Sequence, residues 1–207
     1  MKYDQLFKKA SIFYALASKN KQVSLQDILK HLSKLDTFQD QIDYAEKHLK
    51  HLSSGSSRIV YKTDRGTVIK LAKNSKGLAQ NKAEVNLKFK SKHINNTLDF
   101  DKKYIWIESP FLKKITETQF EKLTSLNFKE FCEAIEFDLS DKKKKPKNYE
   151  KIIKTQIFKD VIEICEKHNL CYGDIVRISS WGSKDKVAVL ADTGLTKSIY
   201  DKYYEKS

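Results

Sequence analysis

The chain lacks several features that would mark a familiar class. Its three cysteines, Cys132, Cys165 and Cys171, are odd in number and form no C-x-x-C pair, which argues against both a disulfide framework and a zinc site. No apolar run approaches the roughly 18 residues that a membrane-spanning helix needs, so no membrane partner is expected. The first residues, "MKYDQLFKKASIFYALASKN", start basic, but Asp4 interrupts them and no clean apolar stretch with a cleavage site follows. A reducing cytoplasm is the expected location. Arginine is also scarce: Arg58, Arg65 and Arg177 are the three among 40 basic residues.

What is present is lysine. Forty basic against 27 acidic residues leave a formal charge of +13, a balance compatible with nucleic-acid or phosphate partners. The lysines are spread along the whole chain, however, and the arginine clusters that read bases and phosphates are missing. A solvated lysine-rich surface is the favoured reading, with a nucleic-acid partner as the alternative. Hydrophobic residues make up 40% and aromatics 11% of the 207 positions, enough for one ordinary domain or two small lobes with packed cores.

Residues 1–52 read as a helical region. Leu6, Ala10, Phe13 and Leu16 recur at helical spacing, as do Leu25, Ile28, Leu29 and Leu32 behind a Ser24/Asp27 capping signal. A third stripe is Ile42, Ala45, Leu49 and Leu52. The pattern then changes. "SSGSSRIVYKTDRGTVIKLAK" reads as a β-hairpin with a Ser/Gly-rich entry and a turn at Gly66. "SKGLAQNKAEVNLKFKSK" returns to a helix with Leu78, Val85 and Phe89 as candidate buried positions, and "TLDFDKKYIWIESPFL" reads as two short strands. An antiparallel sheet with a helix on it is an α+β arrangement. Beyond Pro110 come two strongly helical stretches separated by the lysine-rich "SDKKKKPKN", read as an exposed connection, then "CYGDIVRISSWG", and a buried strand, "KVAVLADTGL". Trp106 and Trp181 are expected to pack in cores.

Several residues carry chemistry. Gly55, flanked by Ser56 and Ser57, allows backbone N–H groups to approach an anion. Lys70 shares a strand face with Val68 and Ala72, and Glu84 follows on the next helix, placed to hold the ammonium. The strand Val187–Leu190 delivers Asp192 to its end, with Gly194 allowing a change of direction. Asp174 precedes it in "YGDIVRISSWG", with Arg177 nearby. A cover, a cation, a metal-holding carboxylate and a second carboxylate near an attacking hydroxyl are the parts that phosphoryl transfer requires.

The succession "GSSRIVY", "VIKLAK", "GLAQNKAEV", "YGDIVRISSWG" and "VLADTGLT" resembles the protein kinase-like superfamily, and more narrowly the short, divergent kinase-like proteins of bacteriophages. The resemblance runs from about Ser53 to Thr196. It implies a two-lobed minimal kinase-like fold: an N-terminal helical extension (1–52), an N-lobe of antiparallel sheet plus helix (53–112) and a reduced helical C-lobe (113–207). It implies ATP and Mg²⁺ as cofactors. Gly55, Ser56, Ser57 and Lys70 would lie at the nucleotide's phosphates, with Glu84 holding Lys70. Glu108 and Phe111 would form a hinge beside the adenine, Asp174 would be the catalytic carboxylate, and Asp192 would hold the metal. The acceptor would be a protein or a small hydroxyl-bearing molecule, and the chain a monomer directed at a host cell.

Two departures from the family pattern stand out. The position five residues after Asp174, where kinases carry a metal-binding Asn, is Ser179, with Ser180 as the neighbouring candidate; a Ser hydroxyl is a weaker ligand. Few residues follow Asp192, so the usual activation segment and peptide-docking helices are not among them. A pseudokinase that works through protein contacts is therefore an alternative to an active enzyme.

Overall fold

The computed structural model describes residues 23–141 and 144–205. The stripe Leu6–Leu16 lies outside them. Two helices open the described chain, α1 (Leu25–Leu32) and α2 (Phe38–His48). Ser24 caps α1 by accepting the Asp27 amide, and Thr37 caps α2 by accepting that of Asp40, each satisfying a donor that the first turn leaves open.

Five antiparallel strands follow, β1 (Lys50–Ser54), β2 (Arg58–Lys62), β3 (Thr67–Ala72), β4 (Asp99–Phe100) and β5 (Trp106–Pro110), in the order β1-β2-β3-β5-β4. Helix α3 (Ser75–Asn86) joins β3 to β4. Register assigns the two faces of this sheet. Ile59, Leu71 and Trp106 stand opposite one another on one face, and Val60, Lys70 and Ile107 on the other. The first face packs against α1 and α2, where Leu25, Ile28, Leu29, Leu32 and Ala45 meet Ile59, Tyr61, Ile69, Leu71 and Trp106 in one core. The Trp106 indole donates to Leu29 O at 3.2 Å and Ser33 Oγ at 3.0 Å. The N-terminal helices are thus the hydrophobic backing of the sheet. Residues 50–52, expected in the third helical stripe, already belong to β1, and Leu52 is exposed.

The second half is mainly helical: α4 (Glu117–Thr124), α5 (Phe128–Leu139), α6 (Tyr149–Ile152), α7 (Gln156–His168), α8 (Tyr172–Ile175) and α9 (Lys197–Tyr203). A small antiparallel sheet of β6 (Lys113–Lys114), β7 (Trp181–Lys184) and β8 (Val187–Leu190), in that order, packs with them. Trp181 sits at the centre of the second core, edge-on to Phe120 and Phe131 at centroid distances of 5.2 and 5.8 Å. Its Nε1 donates to Ile175 O at 2.8 Å. That bond ties the Asp174 segment to the first residue of β7. The described part of the lysine-rich connection is mostly exposed, with Ser140 and Pro146 half-buried.

Among the described residues the chain is therefore α+β, with two sheets and two cores. Residues 91–95 join the halves: Ile94 pairs in parallel with Leu190, and Asn95 N donates to Leu190 O at 3.0 Å. The end of β8, two residues before Asp192, is thereby anchored to residues 93–95. Among the described residues no helix is long and apolar enough to cross a membrane.

Candidate functional site

Helix α3 does the opposite of what its apolar residues suggest. Leu78 and Val85, and Phe89 beyond its end, are only half-buried, while Gly77, Gln80, Asn81 and Glu84 are buried. Those four sit at i, i+3, i+4 and i+7, so they form one inward stripe. Gly77 allows the close approach. A Cβ there would stand 2.3 Å from Ser57 O and 3.0 Å from Ala72 Cα, so only glycine lets α3 lie this close to β2 and β3. Asn74 completes the junction, capping α3 through Gly77 N and donating to Ser56 O at 3.0 Å.

Each polar member of the stripe has a partner. Gln80 Oε1 accepts from Ser57 Oγ at 2.6 Å. Asn81, with no solvent exposure, donates to Tyr104 O at 2.9 Å and, more weakly, to Lys70 O at 3.3 Å. It thereby holds the turn where Tyr104 adopts a left-handed φ of 61°, a conformation that is costly for an aromatic residue. Glu84 carries the charge. Its Oε2 accepts from Lys70 Nζ at 2.6 Å and its Oε1 from Arg58 Nη1 at 2.5 Å. Lys70 also donates to Ala191 O at 2.8 Å.

Arg58 joins the two halves. Its Nη2 donates to Asp192 Oδ2 at 2.6 Å, across 134 positions of sequence, while Nη1 also reaches Asn81 Oδ1 at 3.3 Å. The Asp192 side chain is 45% exposed, and its Oδ1 accepts the Gly194 amide at 3.0 Å. Withdrawal from water works to raise the pKa of this carboxyl, but Arg58 and Lys70, helped by the Gly194 amide, hold it far below the usual carboxylate range. Burial likewise opposes the charge on Arg58, and Asp192 and Glu84 outweigh it, so its guanidinium stays protonated. Asp174 behaves differently. Burial and the charge of Asp192 push its pKa up, against the opposing pull of Arg177 and Arg58. Its Oδ1 lies 3.5 Å from Arg177 Nη1.

Of the candidate residues, the fold brings Lys70, Glu84 and Asp192 into one cluster through Arg58. Asp174 lies within electrostatic reach of it. Ser180 sits beside Asp192, because its carbonyl accepts the Ala191 amide at 2.8 Å, and Ser179 adjoins it as an exposed residue. Gly55, Ser56 and Ser57 form the β1–β2 turn above α3. Several of their groups are engaged: the Gly55 amide closes the turn on Arg58 O, the Ser56 carbonyl accepts from Asn74, the Ser57 carbonyl accepts the Lys73 amide, and the Ser57 hydroxyl goes to Gln80.

The side chain of Glu108 is not in the cluster. It stands opposite Ile69, on the sheet face away from Lys70, and accepts from Thr67 Oγ1 at 2.5 Å, while its carbonyl accepts the Leu98 amide. The parity of β5 decides this, because alternate residues face opposite ways; Ile107 and Ser109 are its neighbours on the Lys70 face. The Phe111 amide donates to Gly66 O, and its ring lies under the Lys62 ammonium at 4.5 Å. The residue missed from sequence is Arg58. Its signal was arginine scarcity, since Arg58 is the arginine that directly follows the Ser/Gly turn.

The fold and site thus define an α+β chain in two halves, with buried cations and carboxylates interlocked where the halves meet. Among solved structures, one titled as the streptomycin–ATP–APH(2")-IIa ternary complex is similar at a TM-score of 0.35 and 14% identity, over 77% of this chain and 71% of that one. No family model and no curated protein matches the sequence. The structural overlap is remote.

Proposed function

We propose that the chain is a kinase-like phosphotransferase that uses ATP with Mg²⁺. The observation that carries this reading is the cluster of Lys70, Glu84 and Asp192: a strand lysine held by a helix carboxylate, beside a carboxylate at the end of a second sheet. Lys70 presents positive charge to the phosphates, and Glu84 keeps its ammonium in place. Val60, half-buried, shares the Lys70 sheet face by register with the buried Val68 and Ile107, and this is the apolar face against which a base would lie. Asp174 is the proton acceptor for the attacking hydroxyl, and its raised pKa suits a base better than an unperturbed carboxylate does.

The residues present fit a magnesium ion. It commonly takes one or two carboxylates, with waters and substrate phosphates completing the shell, and the carboxylate for it here is Asp192. Asp192 would hold it, with Ser180 and Ser179 at hand, and it would supply neutralisation of charge on the phosphate oxygens. The acceptor is a protein or a small hydroxyl-bearing molecule.

The test has two stages. ATP with MgCl₂ should raise the melting temperature, by an amount that grows with ligand concentration; no shift at millimolar ATP counts against a nucleotide site. Transfer of label from γ-labelled ATP should then be lost in Lys70→Ala and Asp192→Ala. Unchanged labelling in both variants overturns the site assignment.

A second reading, a pseudokinase, is favoured by two observations: Arg58 already occupies one oxygen of Asp192, and serines stand where an amide ligand is expected. It predicts stabilisation by nucleotide without transfer. The nucleic-acid alternative needs stacking aromatics on a basic face, and both tryptophans are buried in the two cores.

A further inference from the structure

Arg58 is the residue of the cluster that the phosphotransferase reading does not use. It is 6% exposed and anchored on three acceptors, Asn81, Glu84 and Asp192. In a chain where lysine is the ordinary base, an arginine here has a physical reason. One planar fork holds two carboxylates from different elements at once, whereas a lysine offers a single point charge. Glu84 does not depend on it alone, because Lys70 holds the other carboxylate oxygen. Asp192 leans on it more: Arg58 supplies the cation bonded to Oδ2, the Gly194 amide supplies the bond to Oδ1, and Lys70 acts on it through space.

We propose that Arg58 is a built-in counter-cation for Asp192, competing with divalent metal for that carboxylate and so setting the metal affinity of the site. The proposal rests on the reading of Asp192 as the metal-holding residue. Competition follows from electrostatics: a guanidinium and a metal ion on one carboxylate repel each other, so the second cation enters at the first one's expense. The exchange needs no unfolding. When Asp192 is given up, Arg58 keeps Glu84 and Asn81, both on α3. Arg58 is therefore a positioning residue, setting when Asp192 is free to take metal. Because it directly follows the Gly55–Ser57 turn, metal at Asp192 and the seating of that turn are linked through one side chain.

The test uses Mn²⁺ as the probe, with free ion read by electron paramagnetic resonance and no nucleotide present. Arg58→Gln should bind Mn²⁺ about tenfold or more tightly than wild type, since a charge-assisted bond no longer competes. Arg58→Lys should fall between the two, and Asp192→Asn should lose the site. Arg58→Gln binding no more tightly than wild type overturns the proposal. So does Asp192→Asn binding as tightly as wild type. Should Arg58→Gln show no folding transition, the wild-type protein decides. Its Arg58 guanidinium NMR signals should change as Mg²⁺ is added to millimolar levels, and unchanged signals overturn the proposal. Since nucleotide is absent throughout, a failure of ATP to stabilise the protein bears on the phosphotransferase reading and leaves this result standing.

Discussion

Lys70 Nζ and Glu84 Oε2 stand 2.6 Å apart, with side chains only 8% and 1% exposed. A pair so far from water is costly to break on one side, because the charge left behind has no solvent to turn to. Glu84 is moreover shared with Arg58 at 2.5 Å. Glu84→Gln leaves two buried cations on a neutral amide and should cost about 3–5 kcal/mol. A urea titration reads this as a lower midpoint with unchanged slope. A loss under about 1 kcal/mol would mean that the pair is far better solvated than its burial implies.

Gly194 touches α3. A Cβ there would lie 2.9 Å from Gln80 O, 3.0 Å from Gln80 Cβ and 3.1 Å from Glu84 Oε1. Gly194→Ala must therefore push the loop off the helix, at about 1–3 kcal/mol, and Asp192 moves with it. The expected result is a lower melting temperature and a smaller ATP-induced shift. Gly173→Ala, where nothing lies within 4 Å of the new Cβ, is the control and should stay within about 0.5 kcal/mol of wild type.

The N-terminal helices are integral to the first sheet. Leu32 has no exposure and packs in the core shared with Ile69, Leu71 and Trp106. Leu32→Ala should cost about 2–5 kcal/mol, read by chemical denaturation. Because this core backs the strand that carries Lys70, the ATP-induced stabilisation should weaken too.

Cys132 and Cys165 should be slow to react in the folded protein. Burial first, then the nearby Glu136 and Glu117, pushes the Cys132 thiol up to about 12, and burial with Cys171 alongside does the same for Cys165, also to about 12. Thiolate is the reactive form, so at pH 8 only ~1 in 10⁴ of each is available. Iodoacetamide labelling followed by mass spectrometry should find both nearly untouched in buffer and fully modified in urea. The native rate should climb about tenfold per pH unit. Equal rates with and without urea would contradict the burial.

Much of the local structure was legible in sequence. The apolar stripe of α1 with its Ser24 cap needs only neighbours three and four residues apart. The strand pair around Gly66 and the buried strand before Asp192 announce themselves by alternation or by a short apolar run. Strand β1 does not. All five of its residues are exposed, so it carries no hydrophobic pattern, and its pairing with β2 is what makes it a strand. Helix α3 misleads for a related reason: its inward stripe is polar, and burial there is repaid by hydrogen bonds and ion pairs that sequence periodicity cannot display.

By itself the sequence determined the periodic elements and which residue types were available for chemistry: a strand lysine, a helix glutamate and an aspartate at a strand end. Their assembly was decided only by tertiary structure. The parity of β5 turned the side chain of Glu108 away from Lys70, and the absence of a Cβ at Gly77 and Gly194 let two distant segments close on α3. Arg58 met Asp192 because the two halves are docked together. Charge attraction acts through space, and a contact across 134 positions leaves no periodicity in the chain to be read.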